Sequence, residues 1–159
     1  MAKTALITGA SSGIGLELAR IHASKEDNLV LVARTKEKLA EVKSELESKF
    51  NISVYNIVKD LSVKDAAKEV FDEVKKQNLT IYYLINNAGF GDFGLFADSK
   101  WEKQEDMINL NITALAHLTW LFLPEMISRG EGKILNVSSM AAFQAGPTMS
   151  VYFASKAFV

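Results

Sequence analysis

Short apolar runs rich in β-branched residues alternate with longer stretches of helical periodicity along this chain. Thr4–Thr8 (TALIT) reads as a strand that stops at a glycine cluster. From Ile14 the spacing turns helical through Leu16, Leu18, Ala19 and His22, ending at the polar stop Lys25–Asn28. Leu29–Ala33 (LVLVA) is apolar without a break, which suits a strand buried on both faces. Thr35–Phe50 is amphipathic, with Leu39, Val42, Leu46 and Phe50 on one stripe and Lys and Glu over the rest. Ile52–Val58 predicts a third strand. Ser62 and Asp65 then read as a capping box for a helix carried by Ala67, Val70, Phe71 and Val74. Ile81–Ile85 and Lys133–Val137 predict the fourth and fifth strands. Between them runs the longest helical region. It opens at a capping box of Ser99 and Glu102, continues through Met107, Ile112, Leu115, Leu118, Phe122 and Met126, and stops at Arg129-Gly130.

No repeat, low-complexity tract or linker interrupts this alternation. Residues 1–159 therefore read as one α/β domain, a doubly wound (Rossmann-type) parallel sheet with helices on both faces. The charge balance, 18 Lys+Arg against 19 Asp+Glu, supplies no basic field for nucleic acid or an anionic membrane. The absence of cysteine excludes disulfides, zinc ribbons and thiolate catalysis. No apolar run approaches the ~20 residues needed to cross a bilayer. The N-terminus, Met-Ala-Lys-Thr, enters a strand directly and leaves no room for a signal peptide. The expectation is a cytoplasmic protein without nucleic-acid or membrane partners.

Candidate chemistry begins where the first strand ends. Thr8-Gly9-Ala10-Ser11-Ser12-Gly13-Ile14-Gly15 has a G-x-x-x-G-x-G spacing. Gly9 permits a tight turn, Gly13 lets backbone approach a pyrophosphate, and Gly15 lets the helix pack close to the sheet. The amides of Ser11, Ser12, Gly13, Ile14 and Gly15 then open a helix, whose unpaired donors and positive dipole end suit a phosphate. A Walker P-loop is excluded because Leu16 and Glu17 stand where Lys and Ser/Thr should follow. A methyltransferase, which also places a Gly-rich loop after its first strand, is the rival reading.

At the end of the second strand an acid would take the ribose 2′-hydroxyl of NAD, but the run is Val32-Ala33-Arg34-Thr35. A guanidinium can instead hold a 2′-phosphate through two parallel hydrogen bonds, so Arg34, helped by Ser11 or Ser12, points to NADP(H). The missing acid also weakens the methyltransferase reading. Asp60-Leu61 closes the third strand, where the carboxylate can accept from an adenine amino group or cap the next helix. Asn86-Asn87-Ala88-Gly89 closes the fourth, and its small residues let a flat cofactor lie against backbone. The following Gly89–Gly94 stretch reads as a mobile loop bordering a substrate pocket, or as a surface turn with two buried Phe anchors. His22 and His117 have no partner motif and read as packing or surface residues.

The reacting groups come last. Asn136-Val137-Ser138-Ser139 ends the fifth strand, and Tyr152 and Lys156 stand one turn apart on one helix face. A phenol is a poor base at neutral pH, but a nearby ammonium and a positive nicotinamide ring both favour the phenolate. On its own, Tyr-x-x-x-Lys is a weak signal.

Together these motifs resemble the short-chain dehydrogenase/reductase family. Thr8–Gly15, Asp60-Leu61, Asn86–Gly89, Ser139, and Tyr152 with Lys156 follow the family's order. Ser139 stands 13 residues before Tyr152, the family's separation of its catalytic Ser and Tyr, and Asn111 matches a fourth catalytic residue. The resemblance implies that Tyr152 is the general acid/base and that Lys156 favours its phenolate and binds the nicotinamide ribose. It also implies that Ser139 stabilises charge on the substrate oxygen and that Asn111 holds a water of a proton relay. Gly9, Ser11, Ser12, Gly13, Ile14, Gly15, Arg34, Asp60, Leu61, Asn87, Ala88 and Gly89 would bind NADP(H), with Tyr152 and Lys156. The implied reaction moves a hydride between NADP(H) and a small-molecule carbonyl or secondary alcohol. The resemblance further implies a homodimer or homotetramer, and C-terminal strands and a substrate lid beyond Val159. The alternative from another class is a nucleotide-binding module without catalysis.

Overall fold

A computed structural model describes residues 2–159. Five strands form one wholly parallel sheet in the order β3-β2-β1-β4-β5: β1 (Thr4–Thr8), β2 (Asn28–Ala33), β3 (Val54–Val58), β4 (Tyr83–Asn86) and β5 (Lys133–Asn136). Each of the first three strands is followed by a helix: α1 (Gly13–Ala23), α2 (Lys36–Lys49) and α3 (Ala66–Lys76). The side-chain alternation of β1 shows why both faces must be covered. Ala5 and Ile7 enter the cluster formed with Ala19, Leu39 and Leu46 of α1 and α2. Leu6 enters the opposite cluster, with Val70 of α3 and Leu118 and Phe122 of the long helix. The doubly wound α/β reading thus holds. Chain progress reverses between β1 and β4, the switch point at whose carboxyl edge such sheets open a crevice.

Several local expectations change. Strands three and four begin two residues later than the apolar runs, at Val54 and Tyr83. Neither capping box forms: α3 starts after Asp65, which is left-handed at φ 64°, and Ser62 turns back to Asp60. Ser99 donates instead to Phe96 O, 2.8 Å. The long helical region is not uniform. It consists of α4 (Trp101–Ile108), a π-helical turn (Asn109–Ala114) and α5 (Leu115–Arg129). Its end, with Gly130 left-handed at φ 67°, is as expected.

Contrary to the expectation of no sufficiently apolar run, Trp101–Arg129 is long and apolar enough to cross a membrane by length and composition. In this fold its Leu118, Phe122 and Met126 pack in the core, while Trp120 and Ile127 stay exposed. His22 does find a partner, with Nδ1 2.7 Å from Asp27 Oδ2. The Phe93 ring is exposed and Phe90 only half-buried, so the stretch after β4 is not a turn with two buried Phe anchors.

Candidate active site

The glycine turn between β1 and α1 is built by close approach. Gly9 is left-handed (φ 67°), and a Cβ on Gly15 would run into the Gly9 carbonyl oxygen. Only residues without side chains let α1 start this close to the sheet. Thr8 staples the neighbouring strand end: its Oγ1 accepts from Asn87 N and Ala88 N, both at 3.0 Å. Asn87 returns the bond, donating from Nδ2 to Thr8 O at 2.9 Å. One strand further, Asn86 Nδ2 donates to Asn136 Oδ1 at 2.9 Å, so side-chain amides bridge the carboxyl ends of β4 and β5.

This edge opens into a cleft of about 500 Å³. Its walls bring together Gly9, Ser11, Ser12, Ile14, Arg34, Asp60, Leu61, Asn87, Ala88, Gly89, Tyr152 and Lys156. Ser12, the N-cap of α1, makes no side-chain cap bond, and a Cβ on Gly13 would meet only open space. The first-turn amides of α1 thus face room for an anion. At the far end Arg34 is largely exposed, 3.7 Å from Asp60 Oδ2, with Lys38 and Lys59 also lining the cleft. Asp60 does not cap α3; its Oδ1 accepts from Ser62 N and Oγ. The donors fit a dinucleotide, with open amides for its pyrophosphate and cations along the same cleft.

At the opposite end, α6 (Ser150–Phe158) carries Tyr152 and Lys156. Lys156 is buried, and its Nζ donates to Val137 O at 3.0 Å. Burial holds the Lys156 ammonium below the ordinary lysine range. Ser138 Oγ donates to Lys156 O at 2.9 Å, fixing α6 to the end of β5. Gly91 lies against the Tyr152 ring, where a Cβ would stand 3.1 Å from Cδ2. The segment holding it is tied down: Asp92 accepts from Lys103 and from Gln104 Nε2, and Gly94 N donates to Thr148 O.

Two expected residues sit differently. Ser139 is half-buried outside the cleft wall, and its Oγ accepts from Ala141 N at 3.2 Å to open the short turn Met140–Phe143; Ser138 lines the cleft instead. Asn111 is buried in the π turn beside Gly89 and Lys156. Both of its amide hydrogens are in use, on Phe90 O and Ser155 Oγ, so the side chain has none left to donate to a bound water. The sequence reading assigned no task to Thr8, Lys38, Ser138 or Ser155. For Ser155 a signal was available: a polar residue one turn from Tyr152 and directly before Lys156.

The family model for short chain dehydrogenases matches residues 3–159. The chain belongs to this family. Very-long-chain 3-oxoacyl-CoA reductase of Rattus norvegicus is 34% identical over 161 residues, covering 98% of this chain and 50% of that protein. The 7beta-hydroxysteroid dehydrogenase of Mediterraneibacter gnavus is 33% identical, covering 97% and 58%. Among solved structures, the bulky-bulky ketone specific alcohol dehydrogenase of Comamonas testosteroni superposes with a TM-score of 0.93 at 36% identity, over 99% of this chain and 62% of that one. A Sphingobium yanoikuyae short-chain dehydrogenase in complex with NADPH gives 0.92 at 38%, over 99% and 61%. This member of the family therefore spans about half the length of the curated relatives it matches.

Proposed function

We propose that this chain is the cofactor-binding and acid/base part of an NADP(H)-dependent oxidoreductase acting on a carbonyl or secondary alcohol. One observation carries the reading. Tyr152 and Lys156 line the same cleft as the glycine turn, the small Asn87–Gly89 strand end and Arg34. A Sphingobium relative solved with NADPH supports it. In this reading the amides of Ser12 to Gly15 hold the pyrophosphate. Arg34 and Lys38 receive a 2′-phosphate, with Asp60 and Leu61 beside the adenine. When bound, NADPH supplies the hydride. Tyr152 gives its proton to the developing alkoxide, and the buried ammonium of Lys156 favours the phenolate left behind. Ser139 serves as the oxyanion donor through its own O–H, which the bond accepted from Ala141 N leaves free.

The uncovered face of α5, with Trp120 70% and Ile127 68% exposed, supports pairing with a second copy of the chain. Localisation in the cytoplasm remains part of the proposal. The test follows NADPH oxidation with a panel of ketones, using the protein expressed from its whole reading frame. Tyr152→Phe should lower kcat about 10²–10⁴-fold while weakening NADPH binding by no more than about tenfold. Binding without turnover, indifferent to that substitution, would instead favour a nucleotide-binding module.

A further inference from the structure

Between Tyr152 and Lys156 on α6 stands a serine with no exposure to solvent. A buried hydroxyl in a helix is tolerated when its hydrogen-bonding capacity is met. Ser155 meets it in two directions, donating to Tyr152 O at 2.7 Å and accepting from Asn111 Nδ2 at 2.9 Å. The first bond is local, and a serine can make it in almost any helix. The second reaches the π turn, 44 residues earlier. The same Asn111 amide is gripped on its other side by Phe90, whose N–H donates to Oδ1 at 3.1 Å and whose carbonyl accepts at 2.9 Å. Three segments therefore meet on one buried side chain: the strap leaving β4, the π turn, and α6.

The remaining ties on α6 near Lys156 run to the end of β5, from Ser138 Oγ to Lys156 O and from Lys156 Nζ to Val137 O. Helix α6 also packs on α4 and on the turn Met140–Phe143, but packing is not directional and does not fix register as a hydrogen bond does. The bond to Asn111 closes the other side. The tolerance is small, because one residue of helical slip is about 1.5 Å. A misplacement of about 1 Å at reacting groups can cost 10²-fold in rate.

We infer that Ser155 is a positioning residue: as the fixed acceptor for Asn111, it sets the register of Tyr152 and Lys156 against the strap that bounds the cofactor cleft. Its kinetic consequence rests on the oxidoreductase reading above, while the mechanical one does not. It also gives Asn111 a task its side chain is free to perform, holding α6 in place.

The experiment uses the protein from its whole reading frame, with Ser155→Ala to delete the bond and Ser155→Thr to keep a hydroxyl. Ser155→Ala should lower kcat about tenfold or more and leave the NADPH Kd within about twofold. The pH profile of kcat should shift, since Lys156 no longer keeps its buried place beside the strap. Amide exchange at residues 152–156 should rise about tenfold over that of β1 and β2, and Ser155→Thr should recover most of both effects. Wild-type kcat and exchange in Ser155→Ala would overturn the inference, leaving Ser155 as packing. So would a rate loss matched by uniformly faster exchange across the sheet, with no rescue by threonine. If the wild-type protein reduces no carbonyl, the oxidoreductase reading fails alone; the exchange at 152–156 still decides the role of Ser155.

Discussion

Replacing Gly15 with alanine probes the contact on which cofactor binding depends. The new Cβ would penetrate the Gly9 carbonyl oxygen and come within 2.5 Å of Asn87 Nδ2. Neither neighbour can step aside cheaply. The Gly9 carbonyl belongs to the turn leaving β1, whose Gly9 N donates to Val32 O at 2.8 Å. Asn87 is fixed by its bond to Thr8 O. The first turn of α1 must therefore move. Overpacking of this kind costs about 1–3 kcal/mol in stability. The move also withdraws amides from the phosphate position, and one hydrogen bond to a charged group is worth about 1.5–3 kcal/mol. Losing one weakens NADPH binding roughly 10- to 150-fold. The assay pairs a fluorescence titration with NADPH and a thermal melt, with Leu46→Ala as control. That change leaves a hole under α2, far from the phosphate, and costs about 2–5 kcal/mol without touching the cleft. Gly15→Ala should lose affinity out of proportion to stability, and Leu46→Ala should do the reverse. If Gly15→Ala binds NADPH within twofold of wild type and melts at the same temperature, α1 is not seated on the turn as described.

Other consequences follow from the cleft and its surroundings. Arg34→Asp should reverse the cofactor preference, costing NADPH at least about tenfold while sparing NADH; Lys38→Ala should cost only a few-fold, as expected of a single rim cation. Glu45 is held at about 2 chiefly by the Arg20 guanidinium, which ties α1 to α2, and then by Lys49 of its own helix. A depressed carboxyl stabilises fully above its ordinary value of 4.5, and the contribution is lost as pH falls through about 2. Glu45→Gln should therefore flatten the fall in melting temperature across that window. Asp92→Ala should release the strap from α4, raising KM for the carbonyl substrate roughly fivefold with the NADPH Kd unchanged, as read from initial-rate kinetics and direct titration.

Where side chains pack by period, the sequence was a good guide. The stripe Leu39, Val42, Leu46 became the buried face of α2, and the unbroken LVLVA became β2, buried on both sides. Glycine spacing was equally legible, because only a residue without a side chain fits where Gly15 meets Gly9. Capping signals were less reliable. Ser62 and Ser99 each had a carboxylate at the expected interval, yet each hydroxyl bonded to a nearer group, Asp60 and the Phe96 carbonyl. A local pattern states which bonds are available and leaves the choice to the geometry of the turn.

The polar interior is where periodicity had nothing to offer. Asn111 interrupts an apolar helix, and the interruption makes sense only once Phe90 and Ser155 arrive from segments 21 and 44 residues away. Thr8 ends an ordinary strand, and its hydroxyl matters because the amides of Asn87 and Ala88 come to it across the sheet. The π turn Asn109–Ala114 belongs to the same class: its sequence has helical spacing throughout, and the departure places Asn111 where both partners can reach it. Each of these residues would cost stability if its partner were absent, since an unpaired buried donor forfeits about 1–3 kcal/mol. They are therefore kept by the assembled site rather than by their own helix or strand. It follows that the precision of the Tyr152–Lys156 pair is a property of the joined segments. A substitution at Asn111 or Ser155 should disturb it while leaving the hydrophobic clusters on both faces of the sheet intact, whereas Phe90, which bonds through its backbone, should tolerate a change of side chain.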